Sequence, residues 1–194
     1  MSSLFWVRCL LGVMCVGGVG VTMAHAQVEE VVDEEVTLDS EREFFARING
    51  YQEVPTVSTT GHGAFRARLV QEGQAVAYVL RYADLQGRPL QAKLHFGRRG
   101  TKGGVIAVLC QTGDHPDPTG HAPRCNEEGV VEGLISERNV MGPVDQGIQE
   151  GAFREVLRAL VAHAVYVNVH TMAFPRGEIR GQVRSTVLVQ DPTE

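Results

Sequence analysis

Three β-like segments of this chain carry imidazole, amide, carboxylate and guanidinium groups at alternate positions. Successive side chains of a strand point to opposite faces, so in residues 165–170 the valines occupy one face and the polar groups occupy the other. The same alternation separates apolar from polar residues in 93–96 and in 178–183. If these strands are neighbours, their polar side chains gather into one hydrogen-bonded cluster. The candidates for a structural polar network or a ligand site are His95, Tyr166, Asn168, His170, Glu178 and Arg180.

Histidine is also the commonest metal ligand, so a copper or zinc site is an alternative use of the same residues. Its candidate ligands are His95, His115, His121 and His170. A catalytic zinc needs about three protein ligands and an open position, whereas these histidines show no tight ligand spacing. We therefore expect no cofactor and keep copper or zinc, with superoxide-dismutase-like chemistry, as the alternative.

Motifs of other enzyme classes are absent from the sequence. No serine lies in a Gly-x-Ser-x-Gly elbow, and the chain has neither His-Glu-x-x-His nor a phosphate-binding P-loop. The aspartates of residues 111–128 stand beside prolines and glycines, a setting typical of turn formers. The sequence favours a binding or structural module over an enzyme.

The elements that position the polar groups are predicted to be mostly short strands. Alternation and turn residues predict about eight of them, including a hairpin over 64–82. Apolar residues spaced i, i+3, i+4, i+7 and i+8 predict one amphipathic helix over 153–161. Short strands without βαβ alternation indicate an all-β fold, an antiparallel sandwich or barrel with one amphipathic helix.

The N-terminal residues predict export. Residues 1–26 combine a basic start, an apolar run containing glycines, and Ala24-His25-Ala26, as a cleavable signal peptide does. The run is shorter than the roughly 20 residues of a membrane span. We expect a mature chain without a membrane span that is periplasmic or extracellular. Its expected partner is an unknown extracytoplasmic protein or a small ligand.

Charge divides the mature chain into two parts. Residues 27–43 contain eight acids and one base, which predicts an acidic disordered spacer. The remainder carries 16 basic and 15 acidic residues, without the basic excess of a nucleic-acid-binding domain. We therefore predict a signal peptide over 1–26, the spacer over 27–43, one β domain over 44–189 and a short tail over 190–194.

Cys110 and Cys125 are the cysteines that remain once the signal peptide is removed. An oxidising compartment favours their one possible intrachain pairing. Their spacing is far from the C-x-x-C of redox sites, so we predict a structural disulfide.

Several ordered motifs over residues 44–185 resemble the CHRD domain, a module named after chordin. They are Phe-x-Ala-x-Ile-x-Gly at the first strand, Glu53-Val54-Pro55, Leu94-His95-Phe96-Gly97, Tyr166-Val-Asn-Val-His-Thr and Pro175-x-Gly-Glu-Ile-Arg-Gly-Gln. The resemblance implies an immunoglobulin-like or Cu,Zn superoxide-dismutase-like β-sandwich in an extracellular setting. The family's first histidine motif usually reads His-x-His, whereas Lys93 replaces its first histidine here and disfavours a bound cation.

Two hypotheses follow for the polar residues. In the first, they form an architectural network and ligand contacts come from loops. In the second, they form a metal site.

Overall fold

The computed structural model describes residues 42–127 and 129–186. The described strands are β1 (Glu43–Asn49), β2 (His62–Val70), β3 (Ala75–Ala83), β4 (Pro89–Phe96), β5 (Val105–Cys110), β6 (Val130–Ser136), β7 (Val165–Thr171), β8 (Ile179–Gln182) and β9 (Arg184–Thr186), with helix α1 (Phe153–Val161) before β7. No helix in these ranges has both the length and the hydropathy that crossing a membrane requires. The predicted signal peptide, the acidic spacer up to residue 41 and the tail lie outside the described residues.

The strands form one antiparallel sheet that nearly closes on itself. Their order is β5-β4-β7-β8-β1-β2-β3-β6, with β9 also paired to β1, and the two end strands β5 and β6 are in contact. Each of these pairings is antiparallel. Over the described residues, the predicted all-β fold with one α-helix is confirmed, in the form of a nearly closed barrel.

The interior of the barrel is filled by the apolar side of each strand. The three valines of β7 are fully buried, and Leu157 of α1 joins the same core. Burial of a valine or leucine stabilises the fold by roughly 1.5–3 kcal/mol. The polar side of β7 is also covered, because Tyr166 and Asn168 are buried as well. Alternation therefore predicted the two faces of β7 correctly, but did not reveal that both are buried.

The chain after Gly177 forms two short strands, β8 and β9. β8 pairs with β7 on one side and with β1 on the other, whereas β9 pairs with β1 alone. Val183 separates them and is fully buried.

The connection between β5 and β6 is tied down by the predicted disulfide. Cys110, the last residue of β5, is bonded to Cys125 with an Sγ–Sγ distance of 2.04 Å, so the predicted bridge is confirmed. Next to it, Gln111 N–H donates to the Pro123 carbonyl and Cys125 N–H donates to the Gln111 carbonyl, each at 2.9 Å. A long irregular segment is thus fixed at its base.

Candidate functional site

Strand pairing brings the predicted polar residues of β4, β7 and β8 onto one patch of the barrel's outer wall. His95 pairs with Tyr166 and Lys93 with Asn168 across β4 and β7, and Asn168 pairs with Arg180 across β7 and β8. His170 follows on the same face of β7. We call the resulting group the polar cluster; its members are Glu53, Lys93, His95, Tyr166, Asn168, His170 and Arg180.

The centre of the polar cluster is a stack of three side chains. The Arg180 guanidinium carbon lies 3.5 Å from the centroid of the Tyr166 ring. The His95 ring lies parallel to that of Tyr166, with centroids 4.7 Å apart and an interplanar angle of 3°. All three residues are at least nine-tenths buried. A guanidinium on an aromatic face is attracted by the ring quadrupole, and more strongly where water is excluded.

The cluster holds the loop that follows β4. His95 Nδ1 lies 3.0 Å from the Gly103 carbonyl oxygen, and Gly103 N–H donates to the Tyr166 hydroxyl at 3.1 Å. Arg180 donates to the Arg98 carbonyl at 3.2 Å. Buried polar side chains of the cluster therefore hold the backbone of residues 97–104. This loop carries three exposed cationic side chains.

Hydrogen bonds to carbonyl oxygens fix the tautomers of both histidines. A carbonyl only accepts, so His95 carries its proton on Nδ1, facing Gly103. His170 does the same toward the Pro175 carbonyl at 3.0 Å. Each Nε2 therefore presents a lone pair, and both Nε2 atoms are buried without a partner in the described residues.

The same burial keeps these imidazoles neutral. Loss of water around the ring lowers the pKa of His95 to about 4, with smaller contributions from the charges of His170, Lys93 and Arg180. Burial likewise lowers the pKa of His170 and that of the Lys93 ammonium. At neutral pH the cluster offers two uncharged acceptors beside a half-buried amine.

Glu53 also belongs to the cluster, although it is not among the candidate residues predicted from the sequence. It follows the short 3-10 turn Gly50–Gln52 after β1 and is 6% exposed. Asn168 Nδ2 makes a long contact of 3.5 Å to its Oε2. Burial raises the pKa of Glu53 to about 7, against the opposing charges of Arg180 and Lys102. The only signal for this residue was the Glu53-Val54-Pro55 motif, which does not say where the loop folds.

Glu178 does not join the cluster, contrary to the single hydrogen-bonded group that we expected. It is fully buried and accepts hydrogen bonds from the Thr59 and Thr171 hydroxyls at 2.6 and 2.7 Å, and from Gln86 N–H at 2.7 Å. The chain turns at Gly177, whose φ is +123°, so Glu178 leaves the alternation that β8 follows. Its carboxylate ties three separate segments of the chain together.

The alternative copper or zinc site does not fit the residues present. His115 and His121 are exposed in the loop after β5, and within 42–127 and 129–186 no three His, Cys, Asp or Glu side chains are grouped to hold a metal ion. Asp117 in that loop instead accepts from the backbone N–H groups of Thr119, His121 and Ala122, as a turn former does. We derive no metal chemistry from this site.

Comparison with known proteins gives one match. The family model described as the CHRD domain matches residues 44–183. No curated protein matches the chain, and no solved structure matches it.

Proposed function

The chain belongs to the CHRD domain family, and we propose that it is an extracytoplasmic binding module whose ligand is held at the polar cluster. Family membership supports an extracellular-type binding or structural module. The disulfide and the predicted signal peptide support a location in the periplasm or outside the cell.

The observation that carries the proposal is a group of four buried acceptors to which no described residue donates a hydrogen bond. They are Glu53 Oε1, His95 Nε2, Asn168 Oδ1 and His170 Nε2. A buried polar atom left without a partner lowers the free energy of unfolding by about 1–3 kcal/mol. Four such atoms in one cluster therefore destabilise the free protein. A ligand whose groups donate hydrogen bonds to these four atoms would remove this destabilisation.

The charges around the acceptors define the kind of group that fits. Arg180, Lys93 and Lys102 place positive charge beside Glu53 and the two imidazoles, which disfavours a free metal cation. A neutral group with hydroxyl or amide donors satisfies the acceptors and can accept from the Lys93 amine in return. Lys93 and His170 are only half-buried and form the side from which such a group would enter.

A spectroscopic experiment tests this proposal directly. Nitrogen-15 spectra of the imidazoles at neutral pH should show His95 and His170 as Nδ1–H tautomers. With N-acetylglucosamine as a probe carrying hydroxyl and amide donors, the Nε2 signals of these two histidines should move together. The exposed His62 and His121 are internal controls whose signals should stay in place.

A matched variant separates binding from architecture. In N168L the buried acceptor is replaced by an apolar side chain, so we expect the free protein to keep or gain thermal stability and the response of His170 to the probe to fall. The proposal is wrong if the Nε2 chemical shifts do not change when the probe is added, or if all histidines shift equally. The cluster would then serve only to hold the 97–104 loop.

A further inference from the structure

A second surface, on the other side of the barrel, carries a row of arginines. Strand pairing places Arg184, Phe45, Arg66, Val79 and Glu132 side by side across β9, β1, β2, β3 and β6. The neighbouring rows add Arg68 beside Glu43, and Arg47 in line with Arg81 across Ala64. We call this surface the arginine face; its cations are Arg47, Arg66, Arg68, Arg81 and Arg184.

Within residues 42–127 and 129–186, the arginine face has more cationic than anionic side chains. All five arginines are exposed, and the two carboxylates on the same strands are Glu43 and Glu132. None of the ion pairs found in the described residues includes an arginine of this face. On the described strands of this face, five guanidinium groups stand against two carboxylates, a local excess of positive charge on a chain whose overall net charge is negative.

Apolar groups lie among these cations. Phe45 is 38% exposed and Leu134 is 42% exposed, and Val79, between Arg66 and Glu132, is half-buried. A shallow groove of about 680 Å³ runs over the same strands, with Phe45, Arg66, Arg68 and Glu132 in its lining. The face therefore combines spaced cations with apolar contact area.

We propose that the arginine face binds an acidic polysaccharide. Guanidinium groups recognise carboxylate, sulfate and phosphate through paired hydrogen bonds. Within a row the cations stand two strands apart, about 9.6 Å, because Phe45 or Ala64 lies between them, and Arg66 and Arg68 are about 6.8 Å apart along β2. Such a repeated pattern suits a polymer with repeated charges. Phe45 and Leu134 offer apolar area to the faces of the sugar rings. A second copy of this chain fits poorly, because pairing this face with itself would bring two sets of arginines together.

Binding to defined polymers tests the proposal on the full mature chain. Dextran sulfate and polygalacturonate are the acidic polysaccharide probes, uncharged dextran is the neutral control, and polyphosphate supplies charge without sugar. We expect R66Q/R68Q to weaken binding of the acidic polysaccharides about tenfold at moderate salt. The second double variant, R47Q/R81Q, should weaken binding in the same direction, and added salt should weaken binding of the parent.

A control variant with the same change in net charge tests whether binding depends on the arginine face. R138Q/R154Q removes two exposed arginines from elsewhere on the chain and should bind as the parent does. Equal losses in all three double variants would reduce the effect to net charge and overturn the proposal. It is also overturned if polyphosphate binds as tightly as both polysaccharides, if R66Q/R68Q binds normally, or if the chain elutes as a dimer that R66Q/R68Q dissociates.

Discussion

At the residue scale, the buried carboxylates Glu178 and Glu53 have different environments. Glu178 has three donors on its two oxygens. Glu53 has a long contact from Asn168 to one oxygen, and its Oε1 has no partner among the described residues. A buried carboxylate with a full set of donors is a structural element, since its charge is compensated by fixed hydrogen bonds. A buried carboxylate that can still accept a hydrogen bond is able to bind a donor group of a ligand. The different roles proposed for Glu178 and Glu53 follow from this difference in donors.

Replacing Glu178 by glutamine tests the structural role. E178Q keeps the shape but puts an NH₂ group where donors converge, so we expect a loss of roughly 1.5–3 kcal/mol in the free energy of unfolding and a lower melting temperature that added metal does not restore. E150Q, at an exposed position, is the control. An unchanged melting temperature in E178Q would mean that this network does not stabilise the fold.

At the scale of elements, the loops are fixed by contacts remote in sequence. The 97–104 loop is held by side chains of β4, β7 and β8, and the connection after β5 is held by its disulfide. The hydrogen bonds between strands would not by themselves fix the conformation of these two connections. Position in the barrel, rather than local composition, makes these loops rigid enough to present side chains.

The disulfide gives a prediction at this scale. Mass spectrometry of the purified protein without reductant should show a mass two hydrogens lower than after reduction. C110A/C125A should lose about 3 kcal/mol of stability, because the bridge closes a loop with a sequence separation of 15 and restricts the unfolded chain. Free thiols in both samples, or a double variant as stable as the parent, would contradict a structural bridge.

At the scale of the whole molecule, the barrel separates two kinds of surface. The polar cluster on β4, β7 and β8 is covered by loops and has few exposed charges, whereas the arginine face on β9, β1, β2, β3 and β6 is open and charged. Both surfaces lie on the outer side of strands that enclose the same apolar interior. The two surfaces can therefore be altered independently, since neither contributes side chains to the core.

The stability of the whole domain should depend on pH through two opposing groups. Glu53 has a folded pKa of about 7 against an ordinary value of 4.5, so its contribution is full below 4.5 and is lost as the pH rises to about 7. His95 has a folded pKa of about 4 against 6.5, so its contribution is present above 6.5 and is lost as the pH falls toward 4. His170 acts in the same direction as His95.

E53Q removes one of these opposing groups. The free energy of unfolding of E53Q, measured by urea titration, should rise more steeply between pH 4.5 and 6.5 than that of the parent, since each unit of pKa shift is worth about 1.4 kcal/mol. H95Q should change the slope in the opposite direction. Parallel curves for parent and E53Q would show that Glu53 is not protonated more readily in the folded protein.

The sequence by itself determined the features that depend on local pattern. Alternation marked the faces of β7, apolar spacing located α1 within Phe153–Val161, and two cysteines allowed one pairing. Only the tertiary structure decided that Glu53 enters the cluster, that Glu178 leaves it, and that five arginines share one face. Those facts depend on which strands pair and in what register, and on where loops cross the barrel. Such contacts join residues far apart in the chain, and no local pattern records them.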